Sequence, residues 1–277
     1  MPGFHGFYIN LDRNTARAAE MSRQLAETGL AERYQRLPAI DGSSVAAGHA
    51  TELDPGNLGL WLSHERLTFA NRSSPLHLHI LEDDALLPKD AAASFSDLLA
   101  QADAEHPDWD ILFTEIYVEL NINLFQMILK LKEEQRRGGG VKLYSARGYP
   151  FACTSSLFIN AKSIDKYFRL IEGKWVKATP IDLYLRAAIQ QGALNAYATL
   201  PFVTSLSDQT SDSDIRGELD LSRRVMNVYR RSLFKDADER QLAEEMRRLT
   251  AGAKLSPIAE CYLDAVKFVL SDQWVHF

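Results

Sequence analysis

Glu82, Asp83 and Asp84 stand side by side directly after the apolar run Leu76-His77-Leu78-His79-Ile80-Leu81. Such a run predicts a buried strand, so three carboxylates crowd its carboxyl end. Like charges that close are costly unless a cation or hydrogen-bond donors neutralise them. Side chains alternate along a strand, which sends Glu82 and Asp84 to one side and Asp83 to the other. Hard oxygen donors of this kind suit Mg2+ or Mn2+, ions that bridge the phosphates of nucleotides. Open α/β sheets also bind their ligands at the carboxyl ends of the strands. The plainer alternative for the same residues is a solvated acidic turn leading into Pro88.

The elements that must position these acids alternate. Phe7-Tyr8-Ile9-Asn10-Leu11 predicts a first buried strand, and Asn14 is placed to cap a helix whose apolar residues Ala18, Met21 and Leu25 recur at helical spacing until Gly29 stops it. A helix around Ser63-His64 leads into the acidic strand. After it the patterns predict a helix near 91–102, a strand at 109–114 and a helix over 123–137 that Gly138-Gly139-Gly140 must end. Strands at 141–144 and 157–159, helices near 164–171 and 181–191 and a strand at 196–200 follow. The alternation implies an α/β fold, a mainly parallel sheet flanked by helices.

Beyond Ile215 only helices are expected. Leu221, Val225, Val228 and Tyr229 form one apolar face and Leu242, Met246 and Leu249 another. Ser256-Pro257 opens a last helix carrying Ile258, Cys261, Tyr262, Ala265 and Val269. The expected division is a catalytic or binding domain over 1–215 and a helical C-terminal extension over 216–277 packed on it.

A chain of 277 residues with 46% hydrophobic and 25% charged residues and a mean hydropathy of −0.21 has the composition of a soluble, packed protein. Lys plus Arg number 31 and Asp plus Glu 37, a formal net charge of −6, which leaves no global basic field for nucleic acid. No stretch reaches the roughly 18–20 consecutive apolar residues of a membrane span, and residues 1–10 carry no secretion signal, so a cytoplasmic location is expected. Cys153 and Cys261 sit in apolar surroundings, which suits buried free thiols better than a disulfide or a metal site.

Five pieces in order resemble glycosyltransferase family 25: Ile9-Asn10-Leu11-Asp12-Arg13 with Arg17, Ala39-Ile40-Asp41-Gly42, Leu58-Gly59, Ser63-His64, and Ile80-Leu81-Glu82-Asp83-Asp84. The likeness extends to Pro180-Ile181-Asp182, Pro201, Gln209 and Ser213-Asp214-Ile215, covering roughly residues 7–215. That family includes bacterial lipooligosaccharide galactosyltransferases and is similar to the collagen galactosyltransferases. The resemblance implies a GT-A fold, a UDP-sugar donor, most often UDP-galactose, a divalent metal and inverting transfer. The acceptor it implies is a glycan or lipid-linked glycan of lipopolysaccharide, lipooligosaccharide or another surface polymer. Glu82-Asp83-Asp84 stands where the family's acidic metal and nucleotide motif stands, with Asp84 as metal ligand and Glu82 on ribose or metal. Asn10, Asp12 and Asp83 fall to the donor site with them.

An inverting displacement needs a base for the acceptor hydroxyl. Asp182, at a helix start after Pro180, is the first candidate, and a helix-capping acid is the structural alternative. Asp214 is the second, as base or extra metal ligand, or else an ordinary loop aspartate. Arg13 and Arg17 can reach a diphosphate from the first strand–helix junction. Asp41 can touch the nucleoside or simply make a turn. His64, beside Ser63, can orient a donor group or be a core histidine. His77 and His79 share a strand face at metal-ligand spacing, but upstream of the strand's carboxyl end.

Cys153-Thr154-Ser155-Ser156-Leu157 departs from the family, which usually carries a glycine-bearing segment ending in tyrosine there. Arg223, Arg224, Arg230, Arg231 and Lys235 flank an apolar helix face, which suits either peripheral contact with the inner membrane or a helix docked within the molecule. Two other classes compete with the transferase. One is a non-catalytic nucleotide- or glycan-binding relative; the other is a sugar-1-phosphate nucleotidyltransferase, which would need a glycine-rich phosphate loop that does not follow the first strand here.

Overall fold

The computed structural model describes residues 3–45, 48, 51–118, 122–207, 212–213, 217–218 and 221–270. Its first half runs β1 (Phe4–Asn10), α1 (Thr15–Glu27), β2 (Tyr34–Pro38), α2 (Gly42–Val45), α3 (Pro55–Asn71), β3 (His77–Glu82), β4 (Ala85–Leu86), α4 (Ala91–Glu105), β5 (Ile111–Phe113) and β6 (Tyr117–Val118). The second half runs α5 (Ile122–Arg136), β7 (Lys142–Ser145), β8 (Phe151–Ala152), β9 (Ser156–Ile159), α6 (Ile164–Ile171), α7 (Ile181–Gln190), β10 (Ala196–Leu200) and β11 (Ser205–Leu206). Three helices close the chain: α8 (Leu221–Ser232), α9 (Glu239–Thr250) and α10 (Pro257–Val269). No helix among the described residues is long and apolar enough to cross a membrane.

Seven strands form the central sheet in the order β2-β1-β3-β9-β5-β10-β7. β1 pairs in parallel with β2 and β3, and β10 with β5, while β9 lies antiparallel between β3 and β5 and β7 antiparallel at the edge. Five strands therefore point one way, and their carboxyl ends share one edge. This is the expected α/β architecture with two differences. β2 has only Tyr34 buried, too weak an alternation to announce a strand. β9 is apolar on both faces, Leu157 packing into one layer and Phe158 into the other, a pattern that does not reveal strand direction.

Period-two alternation divides the core into two layers. On one side Met21 and Leu25 of α1 and Phe95, Leu98 and Leu99 of α4 cover Leu81, Leu112 and Phe158. On the other, Trp61 of α3, Met127 of α5, Tyr167 of α6, Leu185 of α7, Val228 of α8 and Tyr262 of α10 cover Leu78, Ile80, Ile111 and Phe113. The β1 to β2 connection uses α1 on the first side and the β2 to β3 connection uses α3 on the second. The crevice this leaves at the carboxyl ends of β1 and β3 is where such sheets bind ligands.

α3 lies so close to the turn after β2 that two glycines are required. A Cβ on Gly59 would stand 2.3 Å from the Ile40 carbonyl oxygen, and one on Gly42 only 1.6 Å from that of Pro55. Ser63 pins the same contact, its Oγ accepting from the Ile40 N–H (2.9 Å) and donating to the Gly59 carbonyl (2.7 Å).

Histidines are built into the interior as neutral groups. His79 stacks on Phe158 with 3.7 Å between ring centroids, between the Tyr34 hydroxyl at Nδ1 and Ser156 Oγ at Nε2. His77 Nδ1 accepts instead from the Ala161 N–H (3.1 Å), so the shared spacing of the two histidines serves packing. His64, against the Tyr167 hydroxyl at 3.1 Å, is fully buried, and burial pushes its pKa down to about 4.

In the C-terminal helices the inward stripe of α10 is Ala259, Tyr262, Ala265, Val266 and Val269. Ile258 is 59% exposed and Cys261 is exposed, contrary to the expectation of a buried thiol there. The stripe centres one residue later than the apolar spacing suggested, which turns both to the flank.

Gly59→Ala is expected to destabilise the protein by about 1–3 kcal/mol, because the backbone neighbour at 2.3 Å cannot yield as a side chain would. A lowered urea midpoint at unchanged slope checks this. His64 binds its proton near pH 6.5 in the unfolded chain and near 4 in the folded one, so stability present above pH 6.5 is lost as the pH falls toward 4, by up to about 3 kcal/mol. Denaturant midpoints measured from pH 7.5 to 4.5 should fall less steeply in His64→Gln, which has no proton to take up.

Candidate active site

The carboxyl edge of the sheet gathers its polar groups from seven places in the chain. β1 ends at Asn10, β3 at Glu82 with Asp83 and Asp84 beyond it, and β5 runs into Thr114 and Glu115. Thr154 and Ser155 lead into β9, which begins at this edge because it is antiparallel. α7 carries Asp182 in its first turn, α1 contributes Arg17, and α8 brings in Arg230.

The three consecutive acids separate as strand alternation requires. Asp83 turns toward β1 and α1, where Asn10 Nδ2 donates to one oxygen (2.6 Å) and Arg17 Nη1 to the other (3.0 Å). Arg36 in turn grips Asn10, its Nε donating to Oδ1 (2.7 Å), and reaches Asp12. Glu82 accepts from Thr154 Oγ1 (3.1 Å) and has no cationic partner among the described residues. Burial first, and then the charge of Asp84, push its carboxyl well above the usual range. Asp84 is raised too, by burial and then by Asp83, against the pull of Arg17 and Arg230. Its Oδ1 is buried with no hydrogen-bond partner among the described residues.

Asp182 joins this group. Its Oδ2 accepts from the Cys153 N–H (3.0 Å), its Oδ1 from the Leu183 N–H (2.8 Å), and its charge helps to raise Glu82. The first base candidate and the acidic motif, a hundred residues apart in the chain, thus face one place. Asp214, the second candidate, lies outside the described residues.

The remaining candidates are seen with partners other than Glu82, Asp83 and Asp84. Arg13 pairs with Asp41, whose carboxyl is held low by the Ser43 N–H ahead of the Arg13 guanidinium. Asp12 is on the surface with Arg36. Ser63 and His64 make the packing contacts already described, none of them to the acids.

Glu115 and Arg230 were not anticipated. Glu115 is fully buried, and Arg230, 8% exposed, holds its Oε1 with both Nε (2.7 Å) and Nη2 (2.5 Å). Ser155 Oγ donates to the other oxygen at 2.6 Å. A lone glutamate after a short strand and an arginine in an arginine-rich helix give no sequence signal of pairing. The basic residues of α8 and its exit also pair within the molecule, Arg231 with Glu245 and Lys235 with Asp90 and Asp236.

The donor set suits a divalent cation. Asp83 and Glu115 are ion-paired, whereas Glu82, Asp84 and Asp182 make no ion pair among the described residues. No group of three His, Cys, Asp or Glu among the described residues is arranged to hold a metal alone. Two carboxylates with the orphaned Asp84 oxygen fit an ion that completes its shell with phosphate oxygens and water, as Mg2+ does.

No family model matches the chain, and no curated protein matches it. Among solved structures it is similar to mouse xyloside xylosyltransferase 1 in the apo form, at 12% identity and a TM-score of 0.37, over 69% of this chain and 83% of that one. So distant a likeness leaves the chain's own residues to carry the function.

Raised carboxyl pKa values mean that the charged acids destabilise the empty protein at neutral pH. Asp84→Asn is therefore expected to raise the melting temperature of the metal-free protein at pH 7.5, by about 2–4 °C per kcal/mol of repulsion relieved. The gain should shrink as the pH is lowered and Asp84 itself becomes neutral, which a set of thermal melts from pH 7.5 to 4.5 resolves.

Proposed function

We propose that this chain is a metal-dependent, inverting glycosyltransferase that moves a hexose from a UDP-sugar to a glycan acceptor. The observation that carries the reading is the uncompensated pair Glu82 and Asp84, with its orphaned buried oxygen, facing Asp182 across the carboxyl edge of the sheet. The family-25 resemblance of the same residues supports galactose as the sugar and a lipopolysaccharide-type surface glycan as the acceptor.

Glu82 and Asp84 would hold the cation, Mn2+ or Mg2+. Bound there, it neutralises the charge that builds on the departing diphosphate. Asp83, fixed by Asn10 and Arg17, shapes the floor of the donor site. Asp182 accepts the proton of the acceptor hydroxyl as that oxygen attacks the anomeric carbon from the face opposite the diphosphate, which inverts the configuration. Arg13 and Arg17 flank the first strand–helix junction, where guanidinium groups pair well with phosphate oxygens.

Calorimetric titration of UDP into the wild type and Asp84→Asn, with and without Mn2+, tests the reading. Binding is expected to need both the ion and Asp84, and Asp84→Asn is expected to lower kcat by about 10²–10³-fold. Absence of UDP binding under every condition overturns the UDP-donor assignment.

A further inference from the structure

The C-terminal helices send one charged side chain into the acidic site, and its contacts end at the candidate base. Arg230 donates from Nε and Nη2 to Glu115, and Nη2 also lies 3.1 Å from Cys153 Sγ. Glu115 accepts from Ser155 Oγ on its other oxygen, and Cys153 Sγ accepts from the Ser155 N–H at 3.3 Å. Arg230 and Glu115 thus clasp both ends of the segment 153–155.

That segment needs clasping. Cys153 has φ 88°, the left-handed region that favours glycine, and such a backbone persists only where its surroundings hold it. In this conformation the Cys153 N–H points at Asp182 Oδ2 (3.0 Å) while the Leu183 N–H takes Oδ1. The two donors fix the plane of the Asp182 carboxylate. The Cys153 thiol is pushed up to about 12, chiefly by burial, so it is a neutral part of the clasp. A buried ion pair is weak as a source of stability compared with apolar packing of the same volume. Its use here is geometric.

We propose that Arg230, carried on α8, is a positioning residue of the acidic site: paired with Glu115 and in contact with Cys153, it holds the left-handed turn whose N–H orients Asp182. This rests on the transferase reading only for its kinetic consequence; the orienting network can be tested without it. The C-terminal helical unit is then part of the site.

The test compares wild type, Arg230→Lys and the double variant Arg230→Met/Glu115→Leu, which removes both charges so that neither is left buried alone. Circular dichroism melts establish which are folded. On the protein without donor or metal, NMR follows the Cys153 amide. In the wild type its exchange is expected to be slow. In the folded double variant, amide protection at Cys153 is expected to fall by about tenfold or more as local opening becomes easier, with β1 and α7 amides unchanged. Arg230→Lys, which keeps the charge but loses the two-pronged grip, should show the same loss in smaller degree and serves if the double variant does not fold. A Cys153 amide as protected as in the wild type, in any folded variant, overturns the proposal.

The kinetic arm uses UDP-galactose with Mn2+. A misoriented base should lower kcat by about 10–100-fold and leave the donor KM unchanged. Equal kcat in a folded variant whose Cys153 amide is loosened removes the catalytic part of the proposal. If the wild type transfers no sugar while the amide results stand, the transferase reading has failed and the orienting network has not.

Discussion

Uncompensated negative charge at the carboxyl edge of the sheet is the constraint to which the rest of the molecule responds. Among the described residues five carboxylates, Glu82, Asp83, Asp84, Glu115 and Asp182, meet there, and two guanidinium groups, Arg17 and Arg230, answer them. Each arginine comes from a different helix on a different side of the sheet, so the two core layers are coupled through this edge. Asp83 and Glu115 are neutralised by direct pairing, whereas Glu82, Asp84 and Asp182 have no ion pair among the described residues. Such an arrangement is poor for the empty protein and well suited to a cationic ligand, the usual trade between stability and function.

Much of the site was legible in local patterns. Strand alternation alone separates Asp83 from Glu82 and Asp84, and the structure gives Asp83 to Asn10 and Arg17. Pro180 before Asp182 marks a helix start, and α7 begins at Ile181. The glycines of two motif pieces, Gly42 and Gly59, are explained by backbone packing, not by ligand contact. Motif residues Ser63 and His64 are buried in the same helix contact, Ser63 bonded to Ile40 and Gly59 and His64 Nδ1 to the Tyr167 hydroxyl, while His64 Nε2 has no hydrogen-bond partner among the described residues.

What stayed hidden depends on long-range geometry. Glu115 lies 115 residues from Arg230, and neither position has a local pattern that distinguishes a buried pair from two surface charges. The left-handed backbone at Cys153 sits where glycine would have announced it. The reversed direction of β9 was equally silent, since a strand buried on both faces shows the same apolar run in either direction. Edge strand β2 escaped because an edge needs little hydrophobic content.

β9 has a consequence for how the chain assembles. It is inserted between β3 and β5, so when the chain has been made only as far as residue 113 those two strands must stand about 10 Å apart, two strand spacings, with unpaired backbone facing each other. Closing them directly would exclude β9 and misplace every later element. Correct assembly must wait for residues 156–159, a non-local pairing of the kind that slows folding and leaves a nascent sheet exposed to wrong partners. The strand that brings Thr154 and Ser155 to the acids is thus also the keystone that joins the two halves of the sheet in time.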